Sequence, residues 1–184
     1  AYLSAIINHA RKEWGINVPN PVQMVRKPQS PQSRSRVLTD DEISKLLMAL
    51  EPTGRRSHWT KPAVQLALAT AMRRGELLSL LWEHVDLKNR TAFLPDTKNG
   101  ESRTVPLSTA AVQVLAELPR HINGAVIPVK FFTLDAAFNR ARKRAGLDDV
   151  RFHDLRRTAI TRMAEKLPNV IELAAVSGHK SLMV

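Results

Sequence analysis

Hydrophobic spacing predicts that most of this chain is helical. Apolar residues recur at three- and four-residue intervals over long segments, the period of one buried helix face. A capping box beginning at Thr39 and a stop at Gly146 are typical helix boundaries. The predicted helices cover residues 3–14, 43–50, 60–71, 76–81, 108–118, 131–145 and 170–176, and a further helix starts at Arg151.

One stretch has strand character instead. Residues 85–87, 91–94 and 103–107 are short and rich in Val, Thr, Phe and Leu, with turn residues between them. The Asn99-Gly100 pair is a strong hairpin signal, so Lys98 is expected at a hairpin tip. The pattern therefore predicts an α+β fold, mainly α-helical with a small three-stranded antiparallel sheet.

The chain divides into three predicted parts. Residues 1–25 hold an apolar helical stripe with no cap before it, residues 26–36 form a basic linker containing proline, and a compact domain covers residues 37–184. The linker fits two interpretations equally well: it lies along a phosphate backbone, or it is an inert spacer.

Charge narrows the class of partner. The 184 residues contain 28 Lys and Arg against 17 Asp and Glu, a formal net charge of +11. A polyanion, most commonly nucleic acid, is the expected partner. A membrane surface is the rival, but it needs a basic helix with a large exposed apolar face, and none is evident. Cysteine is absent, which excludes disulfides and thiolate metal sites and fits a reducing cytosol.

The sequence RFHDLRRTAITR, from Arg151 to Arg162, carries candidate phosphate chemistry. The spacing of Phe152, Leu155, Ala159 and Met163 predicts one buried stripe. His153 and Arg156 are expected side by side on its flank. Arg offers two parallel donors to phosphate oxygens, and His offers a donor or a proton-transfer group. By itself this pattern is weak evidence, because a His near a helix start and adjacent arginines more often belong to a capped, solvated helix.

Four signals in fixed order strengthen the phosphate interpretation. Arg73 stands at a junction of two helices, Lys98 at a hairpin tip, His153-x-x-Arg156 at a helix start, and Gly178-His179 after a helix stop. In this order and spacing they resemble the catalytic domain of the tyrosine recombinases, the phage integrase family. The resemblance covers residues 37–184. Residues 2–25 resemble the last helix of the family's upstream core-binding domain.

The resemblance implies a role for each matching residue. Arg73 and Arg156 would grip the non-bridging oxygens of the scissile phosphate. Lys98 would be the general acid that protonates the leaving 5′ hydroxyl. His153 would assist proton transfer, and His179 would be a further donor to the phosphate.

Two more residues matter in this comparison. Glu76 matches an acidic residue of the family, with an expected role of orienting a neighbouring donor. Ala71 stands where the family most often has Gly, a departure that we expect to be tolerated.

The reaction implied is transesterification through a 3′-phosphotyrosine, with no metal and no nucleotide cofactor. In the family the nucleophilic tyrosine follows the Gly-His by roughly nine residues. This sequence ends five residues after His179, and its single tyrosine is Tyr2. We therefore expect a truncated integrase that binds DNA without cleaving it.

The resemblance also implies partners and a location. They are double-stranded DNA at an attachment-site core, a homo-tetramer in the active complex and accessory DNA-bending proteins, in a bacterial cytoplasm and near the nucleoid. Two alternatives stay open: a non-catalytic DNA-binding module, and a type IB topoisomerase that relaxes DNA without exchanging partners.

Overall fold

The computed structural model describes residues 2–26, 28–29, 34–52, 54, 57–95 and 102–166. The chain separates into two compact units, Ala1–Ser35 and Arg36–Val184.

The first unit is one helix followed by a short turn. Helix α1 spans Tyr2–Glu13, and a 3-10 turn spans Pro21–Gln23. Asn20 ties them together, because its Nδ2 donates to Ser4 Oγ at 2.9 Å and to Asn8 Oδ1 at 2.9 Å. The predicted helix is confirmed, and its apolar stripe is left exposed within this unit.

The second unit contains six helices and three strands within its described residues. The helices are α2 (Asp40–Ala49), α3 (Thr60–Thr70), α4 (Arg74–Ser79), α5 (Thr109–Glu117), α6 (Phe131–Arg144) and α7 (Phe152–Lys166). The strands β1 (Val85–Asp86), β2 (Thr91–Leu94) and β3 (Arg103–Pro106) form an antiparallel sheet in the order β1-β2-β3. These elements confirm the predicted fold class, and the helix predicted over residues 170–176 lies outside the described residues.

A single hydrophobic core joins these elements. Helix α3 packs against both α5 and α7, and α2 packs against α6. Leu66, Leu115, Phe138 and Leu155 are each at most 1% exposed. Burying a side chain of this size contributes about 1.5–3 kcal/mol relative to leaving it in water, so the core holds the helices in fixed relative positions.

Helix α2 is capped and helix α6 is ended by the residues that the sequence predicts. Thr39 caps α2 through its hydroxyl, and Glu42 closes the box by accepting from the Thr39 N–H at 2.9 Å. Gly146 ends α6 with a φ of 70°, a conformation that favours glycine.

No helix among the described residues is long and apolar enough to span a membrane.

The buried face of α7 is wider than the spacing predicted. Phe152, Leu155 and Ala159 are buried as expected, whereas Met163 is only half-buried. Arg156 is buried too, at 4% exposure, rather than lying on a flank. Thr158 is also buried, and its hydroxyl accepts from the Leu38 N–H at 2.9 Å. The predicted flank position of Arg156 was wrong, because the α3–α4 junction covers this side of the helix and its Ala71 carbonyl accepts from the Arg156 guanidinium.

Arg36 links the start of the second unit to two acidic side chains. Its Nη1 donates to Glu42 Oε2 at 3.0 Å, and its Nε donates to Asp149 Oδ2 at 2.8 Å. The hydrogen bonds from Arg36 and from the Thr39 N–H lower the pKa of Glu42 from 4.5 to about 2.

This pKa shift predicts an acid-sensitive contribution to stability. A lowered carboxyl pKa stabilises the fold fully above pH 4.5, and the contribution is lost as the pH falls from 4.5 through about 2. Urea unfolding at pH 7, 4.5 and 3 should show a steeper loss of unfolding free energy in the wild-type chain than in Glu42→Gln. Equal pH dependence in the two proteins would contradict this role of Glu42.

Candidate functional site

Arg73 is placed by the sharp junction between α3 and α4. Helix α3 is followed by Ala71 in the left-handed conformation, with φ 54° and ψ 21°, and α4 begins one residue after Arg73. A left-handed backbone explains why glycine suits the position of Ala71. The Arg73 N–H donates to Glu76 Oε2 at 2.8 Å, so the carboxylate holds the first turn of α4.

The Glu76 carboxylate is buried and shared by two guanidinium groups. Arg73 Nη1 donates to its Oε1 at 2.7 Å, and Arg103 Nη2 donates to its Oε2 at 2.8 Å. The Glu76 side chain is 4% exposed, and that of Arg73 is 24% exposed. Glu76 therefore orients Arg73, in agreement with the predicted role, and the Arg73 side chain remains partly exposed.

Helix α7 brings His153 and Arg156 to the same junction. A carboxylate stabilises the first turn of α7, as Glu76 does for α4: Asp154 Oδ2 accepts from the Arg151 N–H at 2.8 Å. The guanidinium of Arg156 donates through Nη1 to the carbonyl of Ala71. The second arginine of the predicted site is thus bonded to the turn that positions the first.

The site carries more positive than negative charge. Arg73, Arg103 and Arg156 interact electrostatically with one another and with Glu76. Burial, followed by the charge of Arg73, lowers the pKa of Arg156 to about 10, so the guanidinium remains charged at neutral pH. Three guanidiniums around one carboxylate form a site for an anion with several acceptor oxygens.

His153 is exposed at the edge of this cluster, and its pKa is lowered. Partial burial of the ring disfavours its charged form and is the largest cause of the lowered pKa. The positive charges of Arg156 and Arg157 lower the pKa further. At neutral pH the imidazole is therefore uncharged and has a lone pair that can accept a proton.

An open crevice of about 480 Å³ borders the cluster. His153 and Arg156 contribute to its wall, together with Met72, Arg74 and Phe152. The guanidinium of Arg74 lies 3.6 Å from the centre of the Phe131 ring at the same crevice. A ligand in this space can reach both His153 and Arg156.

Of the five predicted site residues, the structure brings together Arg73, His153 and Arg156. Lys98 belongs to the segment that joins β2 to β3, and both Lys98 and His179 lie outside the described residues. Among the described residues, no three His, Asp or Glu side chains are grouped so that they could hold a metal ion.

Arg103 belongs to this cluster, and the sequence interpretation missed it. The strand pattern predicts it only as the first residue of the strand over residues 103–107. Strand alternation places Arg103 on the same side as Val105, which is fully buried. A charged residue on the inward side of a strand was the available signal, because such a charge needs a partner.

Removing the shared carboxylate should destabilise the fold. In Glu76→Ala, Arg73 and Arg103 keep their charges and lose a buried counter-ion, and we expect the free energy of unfolding to fall by about 3 kcal/mol. Urea denaturation measures the change. The matched control is Glu83→Ala, whose side chain is 70% exposed and whose replacement should change stability by less than about 0.5 kcal/mol. Similar losses in both variants would contradict a special role for Glu76.

The lowered pKa of His153 predicts a titration midpoint below the ordinary value of 6.5. Because the unfolded chain then binds the proton more readily, stability is full above pH 6.5 and falls as the pH drops through the folded-state midpoint. NMR titration of the imidazole measures it, with His153→Gln assigning the signal. Arg157→Ala should raise the midpoint, because one of the charges that lowers it is gone. A midpoint at or above 6.5 in the wild type would refute the prediction.

The chain is similar to known proteins over most of its length. The model of the phage integrase family matches residues 36–184. The shufflon-specific DNA recombinase of Escherichia coli is 43% identical over 183 residues, which cover 99% of this chain and 47% of that protein. The chain therefore spans about half the length of this relative.

Solved structures of lambda integrase share the fold. A dimer bound to a COC′ core site matches with a TM-score of 0.75 and 26% identity, over 98% of this chain and 70% of that one. A tetramer bound to a Holliday junction matches with a TM-score of 0.76 and 26% identity, over 98% of this chain and 57% of that one. Since the family model covers most of the sequence, including Arg73, His153 and Arg156, this chain belongs to the phage integrase family.

Proposed function

We propose that the protein containing this chain is a site-specific DNA recombinase that integrates or excises a mobile element. The observation that supports it most strongly is the cluster of Arg73, Arg103 and Arg156 around the single Glu76 carboxylate. Its excess positive charge, beside an imidazole that is neutral at pH 7, suits a phosphodiester undergoing nucleophilic attack.

The two arginines at the α3–α4 junction and on α7 bind the phosphate. Arg73 and Arg156 donate to the non-bridging oxygens and stabilise the charge that builds in the pentavalent transition state. Preorganised donors of this kind typically contribute ~10²–10³ in rate each. Because Ala71 and Glu76 already hold these side chains, little reorganisation is needed when DNA binds.

The covalent step exchanges one phosphoester for another. A tyrosine oxygen bonds to phosphorus, the bond from phosphorus to the 5′ oxygen breaks, and a 3′-phosphotyrosine results. His153 assists removal of the tyrosine proton, Lys98 gives a proton to the leaving 5′ oxygen, and His179 adds a donor to the phosphate. A 5′ hydroxyl of the partner strand then reverses the step, so no nucleotide cofactor is consumed.

The proposed assembly is a homo-tetramer on double-stranded DNA, assisted by DNA-bending proteins. Lambda integrase has been solved as a DNA-bound dimer and as a tetramer on a Holliday junction. The net charge of +11 and the exposed Arg140, Lys143 and Arg144 on α6 supply a basic surface for such a partner. The proposed location is the bacterial cytoplasm, near the nucleoid.

The proposed domain organisation assigns a part to each segment of the chain. Residues 1–25 would end an upstream core-binding domain, residues 26–36 would link the domains, and residues 37–184 would belong to the catalytic domain. The integrase family match over residues 36–184 supports the assignment of the last segment.

Covalent trapping tests the proposed reaction. Because Tyr2 is the one tyrosine among these 184 residues, the assay uses the full-length product of the parent gene. Incubation with nicked DNA carrying the candidate attachment core should give a protein–DNA adduct on a denaturing gel. Arg156→Ala should slow adduct formation by ~10²–10³, because one transition-state donor is lost.

A control on the same helix separates the active site from general effects. Arg162 pairs with Asp40 at the surface, and Arg162→Ala should keep the wild-type rate. Tight binding of the cognate site without any adduct would instead favour a non-catalytic DNA-binding module. Relaxation of supercoiled DNA without strand exchange would favour a topoisomerase.

A further inference from the structure

Arg103 occupies an unusual place for a charged residue. It is the first residue of β3 and pairs with Leu94 at the end of β2. Its side chain is only 11% exposed, on the inward side of the strand. Removing a guanidinium from water costs free energy unless an opposite charge compensates it. The ion pair that Arg103 forms with Glu76 therefore indicates its role.

The Glu76 carboxylate is also hydrogen-bonded to Arg73. Glu76 Oε2 accepts from Arg103 Nη2 and from the Arg73 N–H, at 2.8 Å in each case, while Oε1 accepts from Arg73 Nη1 at 2.7 Å. A carboxylate and a guanidinium alone readily form a bidentate, mutually neutralising pair. Here the second guanidinium shares the carboxylate.

We infer that Arg103 is a positioning residue for the proposed strand cleavage. By sharing the charge of Glu76, it reduces the extent to which that carboxylate neutralises Arg73, and so strengthens the attraction between Arg73 and a phosphate. This inference rests on the proposed function. Arg103 acts through Glu76 on Arg73 and does not itself touch the reacting atoms.

The charge balance supports this role. With Arg103, three guanidiniums face one carboxylate, an excess of two positive charges in the cluster of Arg73, Arg103, Arg156 and Glu76. Without Arg103 the excess falls to one, and Glu76 is free to pair fully with Arg73. A phosphodiester would then meet a weaker and differently oriented donor.

Two conservative variants separate charge sharing from a structural link between β3 and α4. Arg103→Lys keeps the positive charge, and Arg103→Gln keeps an N–H donor for Glu76 but removes the charge. A purely structural link needs the hydrogen bond, so Gln would serve as well as Arg. Charge sharing needs the cation, so Lys would serve and Gln would fail.

The first readout is binding of inorganic phosphate to this chain, followed by NMR signals of the arginine side chains. Arg103→Gln should weaken binding about tenfold, and Arg103→Lys should stay within about threefold of the wild type. Lys88→Ala is the matched control, because it removes one exposed positive charge from the turn between β1 and β2 and should leave phosphate binding unchanged. Thermal unfolding of each variant confirms that it is folded at the temperature of the titration.

The second readout is the rate of covalent adduct formation by the full-length protein. Arg103→Gln should slow it about tenfold or more, and the same change in an Arg73→Ala background should have no further effect, because Arg103 acts through Arg73. Wild-type behaviour of Arg103→Gln, or losses that multiply in the double variant, would overturn the inference. Absence of an adduct in the wild type would refute the proposed function instead, while a phosphate affinity that falls with Gln and survives with Lys would still support charge sharing.

Discussion

The site depends on one buried carboxylate. A buried carboxylate loses its hydration, which costs several kcal/mol unless hydrogen bonds and opposite charges replace it. Glu76 receives donors from the Arg73 backbone, the Arg73 side chain and the Arg103 side chain. The same bonds therefore stabilise the carboxylate, start helix α4, and join the beginning of β3 to the α3–α4 junction.

A second connection is made through the backbone of that junction. Ala71 adopts a left-handed conformation at the end of α3, and its carbonyl accepts from the buried Arg156. Thr158, on the same helix as Arg156, accepts from the Leu38 N–H near the start of the second unit. Buried hydrogen bonds thus connect α7 to the α3–α4 junction and to Leu38, and side chains held by such bonds can be preorganised as donors for a transition state.

The excess of positive charge connects stability with function. Burial, followed by the like charge of Arg73, lowers the pKa of Arg156 to about 10, so its charged state is opposed by its surroundings. A protein selected for stability alone gains little from three guanidiniums around one carboxylate. A bound phosphate would supply negative charge and offset the repulsion among the guanidiniums, so ligand binding would stabilise the fold.

The sequence by itself determined the elements and the chemical inventory. Periodicity and capping residues predicted the helices, and the order of Arg73 and His153-x-x-Arg156 indicated the phosphate chemistry, because these signals are local. Tertiary structure decided that Arg156 is buried and that Arg103 shares Glu76. The bond from Arg156 to Ala71 spans 85 positions, and the one from Arg103 to Glu76 spans 27. Spacing along a chain tells which face a residue occupies, but the partner on that face is set by how the packed core brings distant elements together.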